Sequence, residues 1–296
     1  MSRPVAVLFP GQGTAPRDMR SIVVRDAPDL IDLLEQEVGE DLFERADESA
    51  RRMQPAMLGC MLAGWRRLER LAREGRFDRG EVGAFAGHSL GEIAALVAAG
   101  ALATDDAIRL VHLRGRLFEE AEAGPAAGAM CAIVGPDARA YVEPLLGAEL
   151  FLANDNSPLQ VVVSGTRDAV GAVSRGARED GLRAVPMYMR YAAHSPWMRG
   201  VTGPLRTTLD ELSFGTPSAP VWCSTTARPF ADVRAELAEG VALPVQWRGL
   251  LENVYAQGAR RYVDAGPGHV VAALAAKTLG DVETPTVSDL EDQTSA

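Results

Sequence analysis

Glu81-Val82-Gly83-Ala84-Phe85-Ala86-Gly87-His88-Ser89-Leu90-Gly91-Glu92 is the stretch whose reading decides the fold. Glu81 to Ala86 is a run of small and apolar residues, the pattern of a short strand buried in a parallel sheet. Gly87-His88-Ser89-Leu90-Gly91 then has the Gly-x-Ser-x-Gly form of a tight strand-to-helix turn. Such a turn needs glycine on both sides of the serine, because side chains there collide with the neighbouring strand and helix. It lifts the Ser89 hydroxyl to the carboxyl end of the sheet. It also sets the N–H groups of the following helix beneath any oxyanion that forms there.

The neighbouring segments predict strands and helices in alternation. Val5 to Phe9 is a second apolar strand, closed by Pro10-Gly11. Met57, Met61, Trp65, Leu68 and Ala72 recur at helical spacing, with Pro55 expected in the first turn. Ile93 to Ala99 and Ala107 to Glu120 read as helices. This alternation predicts an α/β fold with a parallel sheet covered on both faces. Between Ala127 and Arg190 the rhythm changes to βαββαβ, the order of a ferredoxin-like unit. Its strands are expected at Ala129–Val134, Glu149–Ala153, Gln160–Ser164 and Arg183–Met187, with a turn over Asn154–Pro158. The large subdomain, residues 1–126 and 191–280, resumes with strands at Val221–Cys223 and Arg261–Asp264 and a helix from Trp247 to Ala256. Residues 281–296 read as a polar, frayed tail.

Bulk properties narrow the function. Of 296 residues, 47% are hydrophobic, and 40 acidic against 30 basic side chains give a net charge of −10. That balance argues against nucleic acid as a partner. Cys60, Cys131 and Cys223 are scattered in apolar surroundings, which predicts buried thiols and neither a disulfide framework nor a metal site. The apolar run after Met1 is too short for a membrane span or a signal peptide. A cytoplasmic monomer with no membrane association and no bound cofactor is expected.

A serine nucleophile needs a base. Four histidines are available: His88, His112, His194 and His269. His88 adjoins the serine and should point away from it, and His112 lies within a helix. His194 sits on a loop at the end of the inserted unit, where catalytic side chains concentrate.

Beyond this point the chain resembles a known family, the malonyl-CoA:acyl carrier protein transacylases, which include free-standing acyltransferases of polyketide synthesis. The resemblance is carried by Phe9-Pro10-Gly11-Gln12-Gly13, Gly87-His88-Ser89-Leu90-Gly91-Glu92 and Leu113-Arg114-Gly115. It continues through Asn156-Ser157-Pro158 with Val161–Gly165, His194-Ser195-Pro196, Pro244-Val245-Gln246-Trp247 and Gly266-Pro267-Gly268, in the family's order, to about Lys277. It implies an α/β-hydrolase-like fold and a Ser–His dyad of Ser89 and His194. The histidine would be oriented by the Gln246 carbonyl, and the oxyanion hole formed by the N–H groups of Gln12 and Leu90. Arg114 would clamp the free carboxylate of a malonyl-type group. The donor would be a coenzyme A thioester and the acceptor the phosphopantetheine of an acyl carrier protein.

Two departures from the family pattern stand out. Tyr191-Ala192-Ala193 replaces the histidine, alanine and phenylalanine of malonyl-selective polyketide members; the small Ala193 is expected to enlarge the acyl pocket, and Tyr191 resembles the pattern of methylmalonyl-selective members. Thr14-Ala15 replaces serine and glutamine on the rim. The alternatives are transfer of an unusual acyl group between two carriers, an editing hydrolase that clears stalled thioesters, and an inactive fold kept for carrier docking. Intact Ser89, His194 and Arg114 speak against the last.

Overall fold

The run Val5–Phe9 forms β1, and all five of its residues are buried. Its side chains divide by parity, as a strand's must. Val5, Val7 and Phe9 enter one apolar core and Ala6 and Leu8 another, so β1 lies between two layers of helices. The structure is a computed structural model that describes residues 4–39 and 41–292. The other strands are β2 (Val82–Gly87), β3 (Ala129–Val134), β4 (Leu150–Ser157), β5 (Gln160–Gly165), β6 (Arg183–Pro186), β7 (Val221–Cys223), β8 (Arg228–Pro229) and β9 (Arg261–Asp264). The helices are α1 (Met19–Asp26), α2 (Asp29–Val38), α3 (Ala50–Arg73), α4 (Gly91–Ala98), α5 (Thr104–Ala121) and α6 (Ala138–Val142). They continue with α7 (Arg167–Glu179), α8 (Arg199–Glu211), α9 (Val233–Gly240), α10 (Trp247–Ala256), α11 (Val270–Leu279) and α12 (Val287–Asp292).

The first sheet runs β8-β7-β2-β1-β9, parallel throughout except for β8 at the edge. β1 and β2 end in register, Phe9 beside Gly87, so both of their following loops emerge at the same carboxyl edge. That edge is where open α/β sheets hold ligands. The second sheet is antiparallel with order β4-β5-β3-β6, and α6 and α7 close its own small core. Its order and connections are those of a ferredoxin-like unit.

The two sheets are stitched together next to the site. The Val245 N–H donates to Ala153 O and the Asp155 N–H to Val245 O, each at 2.8 Å, so β4 pairs with a loop of the other unit. A strap over residues 190–192 returns the chain: Gly128 N–H donates to Arg190 O at 2.9 Å and Ala192 N–H to Ala126 O at 2.8 Å.

Three local expectations need correction. Pro55 lies inside α3, which begins at Ala50. β4 runs on through Asn154 and Asn156 to Ser157, with irregular register at Leu152/Asn154 and Asp155/Ser157, so the expected turn shrinks to the two residues after it. The asparagines stay in the strand because their amides are used by His88, described below. The segment from Asp281 to Asp292 is ordered against the sheet: Tyr262 N–H donates to Glu283 O, Asp264 N–H donates to Pro285 O, and Val287 and Leu290 of α12 are buried. Residues 293–296 of the expected tail lie outside the described residues. Among the described residues no helix is long and apolar enough to cross a membrane, and no group of three His, Cys, Asp or Glu side chains could hold a metal ion. All three cysteines are buried and free.

Candidate active site

Ser89 stands between β2 and α4 with φ of 53°, a left-handed conformation that side chains seldom adopt. The elbow imposes it. A Cβ on Gly87 would lie 1.9 Å from the Gly91 carbonyl carbon, and a Cβ on Gly91 would lie 2.4 Å from Phe9 O and 2.7 Å from Pro10 O. The glycines therefore let the strand, the helix start and the Pro10–Gln12 loop touch. The His88 N–H extends the ladder to Phe9 O at 2.9 Å. Leu90 is the N-cap of α4, and Gln12 opens a single 3-10 turn. Neither the Leu90 N–H nor the Gln12 N–H has a main-chain acceptor outside its own element among the described residues.

His194 also has a positive φ, 57°, and is 6% exposed. Its main-chain N–H donates to Val241 O at 3.0 Å. The next residue, Ser195, fixes the turn by donating its hydroxyl to Ala192 O at 2.6 Å. The imidazole Nδ1 faces two carbonyls, Gly240 O at 3.0 Å and Leu243 O at 2.9 Å. Carbonyls cannot donate, so Nδ1 carries the proton and Nε2 of the neutral ring keeps a lone pair. Nε2 lies 2.9 Å from Ser89 Oγ, positioned to accept the hydroxyl proton. Burial first, then the charges of Arg114 and His88, push the His194 imidazole down to about 4. It is a free base at neutral pH.

The expected orienting carbonyl of Gln246 is not the one used. Gln246 is the N-cap of α10, and its carbonyl accepts the first helical bond, from Leu250 N–H at 2.9 Å. The imidazole Nδ1 faces the Gly240 and Leu243 carbonyls in its place. Gly240 is the last residue of α9, at the negative end of the helix dipole, and its carbonyl also accepts the Leu243 N–H at 3.3 Å.

Arg114 reaches the serine from α5. Its guanidinium is 6% exposed, donates from Nη1 to Gln54 Oε1 at 2.8 Å and from Nη2 to Ser89 Oγ at 3.0 Å, and lies 4.3 Å over the Phe118 ring. Gly115 allows this approach, since a Cβ there would sit 2.4 Å from Ala50 O of α3. Burial pushes Arg114 down to about 10, partly offset by Tyr191 and Glu92, so it stays cationic at neutral pH. Both of its hydrogen bonds go to neutral partners. A buried cation in that state is stabilised by an incoming anion.

Ser89, Arg114 and His194 open on a cavity of about 10 Å³, the room one water needs. Leu110, Leu205, Leu209 and Leu237 give it an aliphatic wall. Tyr191 and Ala193 do not line this small cavity. Both are buried; the Tyr191 hydroxyl accepts from Gln12 Nε2 at 2.6 Å and its ring packs edge-on against Phe118. Tyr191 therefore backs the loop that presents the Gln12 N–H.

Sequence reasoning missed two features. His88 turns away from the serine, as expected, but its Nε2 lies 2.9 Å from Asn156 Oδ1, tying the elbow to β4. Glu92 is 6% exposed and lines the same cavity. A lone carboxylate followed by Ile93-Ala94-Ala95-Leu96 in a buried helix was the available signal.

Comparison with known proteins agrees with this geometry. The acyl transferase domain family matches residues 23–295. The malonyl CoA-acyl carrier protein transacylase of Bacillus subtilis is 33% identical over 307 residues, covering 97% of this chain and 94% of that protein. The crystal structure of malonyl-CoA:acyl carrier protein transacylase from Xanthomonas oryzae aligns with a TM-score of 0.85 at 31% identity, over 100% of this chain and 98% of that one. A type II polyketide synthase acyl carrier protein in complex with its malonyl-transacylase provides a third likeness, with a TM-score of 0.83 at 29% identity over 98% of this chain and 99% of the matched one. The family match and the identity and length of these alignments place this chain in the acyl transferase family, among the malonyl-CoA:acyl carrier protein transacylases.

Proposed function

We propose that this chain moves a malonyl group from coenzyme A to the phosphopantetheine thiol of an acyl carrier protein, through an ester on Ser89. His194 Nε2 takes the Ser89 proton as Oγ attacks the thioester carbonyl. The N–H groups of Leu90 and Gln12 receive the oxyanion. Collapse breaks the C–S bond, and the proton held on Nε2 goes to the departing coenzyme A sulfur. In the second half-reaction His194 takes a proton from the carrier thiol, the sulfur attacks the seryl ester, and the proton returns to Ser89 Oγ. The protein supplies all proton transfers, and none needs a bound cofactor.

The observation that carries this reading is the buried Arg114 guanidinium, bonded to Ser89 Oγ and to neutral Gln54. A carboxylated acyl group brings it a carboxylate within hydrogen-bond reach, and the clamp holds the thioester carbon near Oγ. The choice of malonyl over an α-branched group follows the relatives, which are named malonyl transacylases; the cavity beside Ser89, with room for about one water, does not separate the two. The work is divided between the units: residues 1–126 with 191–280 carry the chemistry, and residues 127–190 brace the elbow through His88.

A competition tests this. With holo carrier protein and equal malonyl-CoA and methylmalonyl-CoA, malonyl-carrier should dominate by about 10-fold or more. Equal use of both, or free malonate as the main product, contradicts the reading.

A further inference from the structure

Glu92 belongs to the elbow hexapeptide but has no part in the steps above. It lies in the first turn of α4, and its own N–H donates to Ser89 O at 3.0 Å. Burying a carboxylate is costly unless it serves hydrogen bonds. Glu92 Oε1 accepts the Ser224 N–H at 2.6 Å, a contact between residues 132 apart in sequence. The Ser224 carbonyl in turn accepts the Gln246 N–H at 2.7 Å. Gln246 closes the loop that leaves α9. Within that loop Gly240 and Leu243 hold Nδ1 of His194, Val241 O holds its main-chain N–H, and Val245 is paired with β4.

We propose that Glu92 is a positioning residue for His194: its carboxyl oxygen anchors Ser224, and Ser224 anchors the loop whose carbonyls orient the imidazole. One side chain thus fixes the distance between the serine elbow and the histidine cradle. The inference rests on Ser89 and His194 being the reacting pair. Its working element is an acceptor oxygen at the right reach. Burial pushes the Glu92 carboxyl up to about 7 against the pull of the Ser224 N–H and of Arg114 on α5, with Cys223 on β7 also nearby. Protonated or ionised, it keeps an oxygen that can accept from Ser224.

This predicts an order among variants that a purely structural or purely electrostatic role does not give. Glutamine keeps the reach and an acceptor oxygen. Aspartate keeps the charge but is shorter by one C–C bond, about 1.5 Å. In single-turnover acylation by saturating malonyl-CoA, Glu92→Gln should rescue the rate to within about threefold of the parent. Glu92→Asp and Glu92→Ala should lose on the order of 10- to 100-fold, with half-saturation changed by less than about threefold. The proton NMR resonance of His194 Nδ1–H should shift or broaden in Glu92→Asp and stay in place in Glu92→Gln. Asp26→Asn, which removes a buried carboxylate bonded to Arg25 on α1, serves as a control for general destabilisation and should leave that resonance unmoved.

Retention by aspartate with loss by glutamine overturns the proposal, as do equal rates in all variants or a resonance moved equally by Asp26→Asn. If Glu92→Ala does not fold, the Gln and Asp pair still decides. A parent enzyme that gains no malonyl ester refutes the proposed function instead, and the resonance still tests the Glu92 anchor.

Discussion

The serine and the histidine of the dyad are held in opposite ways. Ser89 is built locally: Gly87 to Glu92 contain the turn, the nucleophile and the helix start, and the strain at φ of 53° is set by close contacts among those residues and the β1 loop. His194 has nearly the same strained backbone, with φ of 57°, but its imidazole is held by carbonyls 46 and 49 residues further along the chain. The elbow depends on side chains being absent at particular positions. The cradle depends on main-chain carbonyls, which almost any residue can supply. The difference teaches that a motif marks where sterics restrict residue choice and is silent where the backbone does the work.

Substitutions can break or sharpen that contrast. The largest effect is expected on the elbow. Gly87→Ala places a Cβ 1.9 Å from the Gly91 carbonyl carbon, which no rotamer relieves, and should abolish soluble protein or reduce acylation below detection. Next comes the side chain that meets Ser89 from outside the motif. Arg114→Ala should cut malonyl transfer by roughly 100-fold or more while changing acetyl transfer by less than about 10-fold, measured with the two coenzyme A esters. Equal losses on both would remove the carboxylate clamp.

The pH response tests the histidine side. Its imidazole is held at about 4 in the fold against an ordinary value of about 6.5. The unfolded chain therefore binds the proton first as pH falls, so this group lowers stability progressively from about pH 6.5 toward 4 and has no such effect above 6.5. His194→Gln should lose less melting temperature than the parent between pH 7 and 5. As for rate, the free base persists to about pH 4, and acylation should fall only as pH drops through that value. An acid limb centred near 6.5 would show that the imidazole is solvated and not held as described.

The smallest effect is expected in the cradle itself. Gly240→Ala adds a Cβ whose nearest neighbour, Thr225 Cγ2, is 3.5 Å away, an ordinary contact, and leaves the carbonyl in place. Acylation should stay within about twofold and stability within about 0.5 kcal/mol. A loss as large as that of Gly87→Ala would erase the distinction between the two regions.

The same distinction explains what could be read from the sequence. Val5–Phe9 stands where its apolar run predicts, because a strand buried on both faces has few alternatives, and Ala129–Val134 and Arg261–Asp264 also form the expected strands. Ser89 and His194 were legible through motif residues that pack or react. The role of the Gln246 carbonyl is not legible, because the sequence gives no sign that it starts α10. Gly240 and Leu243 had no signal, since their contribution is a carbonyl. Helix α2 carries a buried stripe of Leu30, Ile31, Leu34 and Val38 at helical spacing, whereas only Val287 and Leu290 mark the buried side of α12, so its polar sequence reads as tail. The Asn154 and Asn156 amides looked like turn residues until His88 explained them.

The central claim is that Ser89 carries the acyl group. Intact-mass analysis of the protein after brief exposure to malonyl-CoA, followed by peptide mapping, tests it most directly. The account predicts one malonyl addition per chain, located on Ser89, absent from Ser89→Ala and discharged by a holo acyl carrier protein. A malonyl adduct that persists in Ser89→Ala, or a parent that transfers malonyl without ever forming the ester, would contradict it.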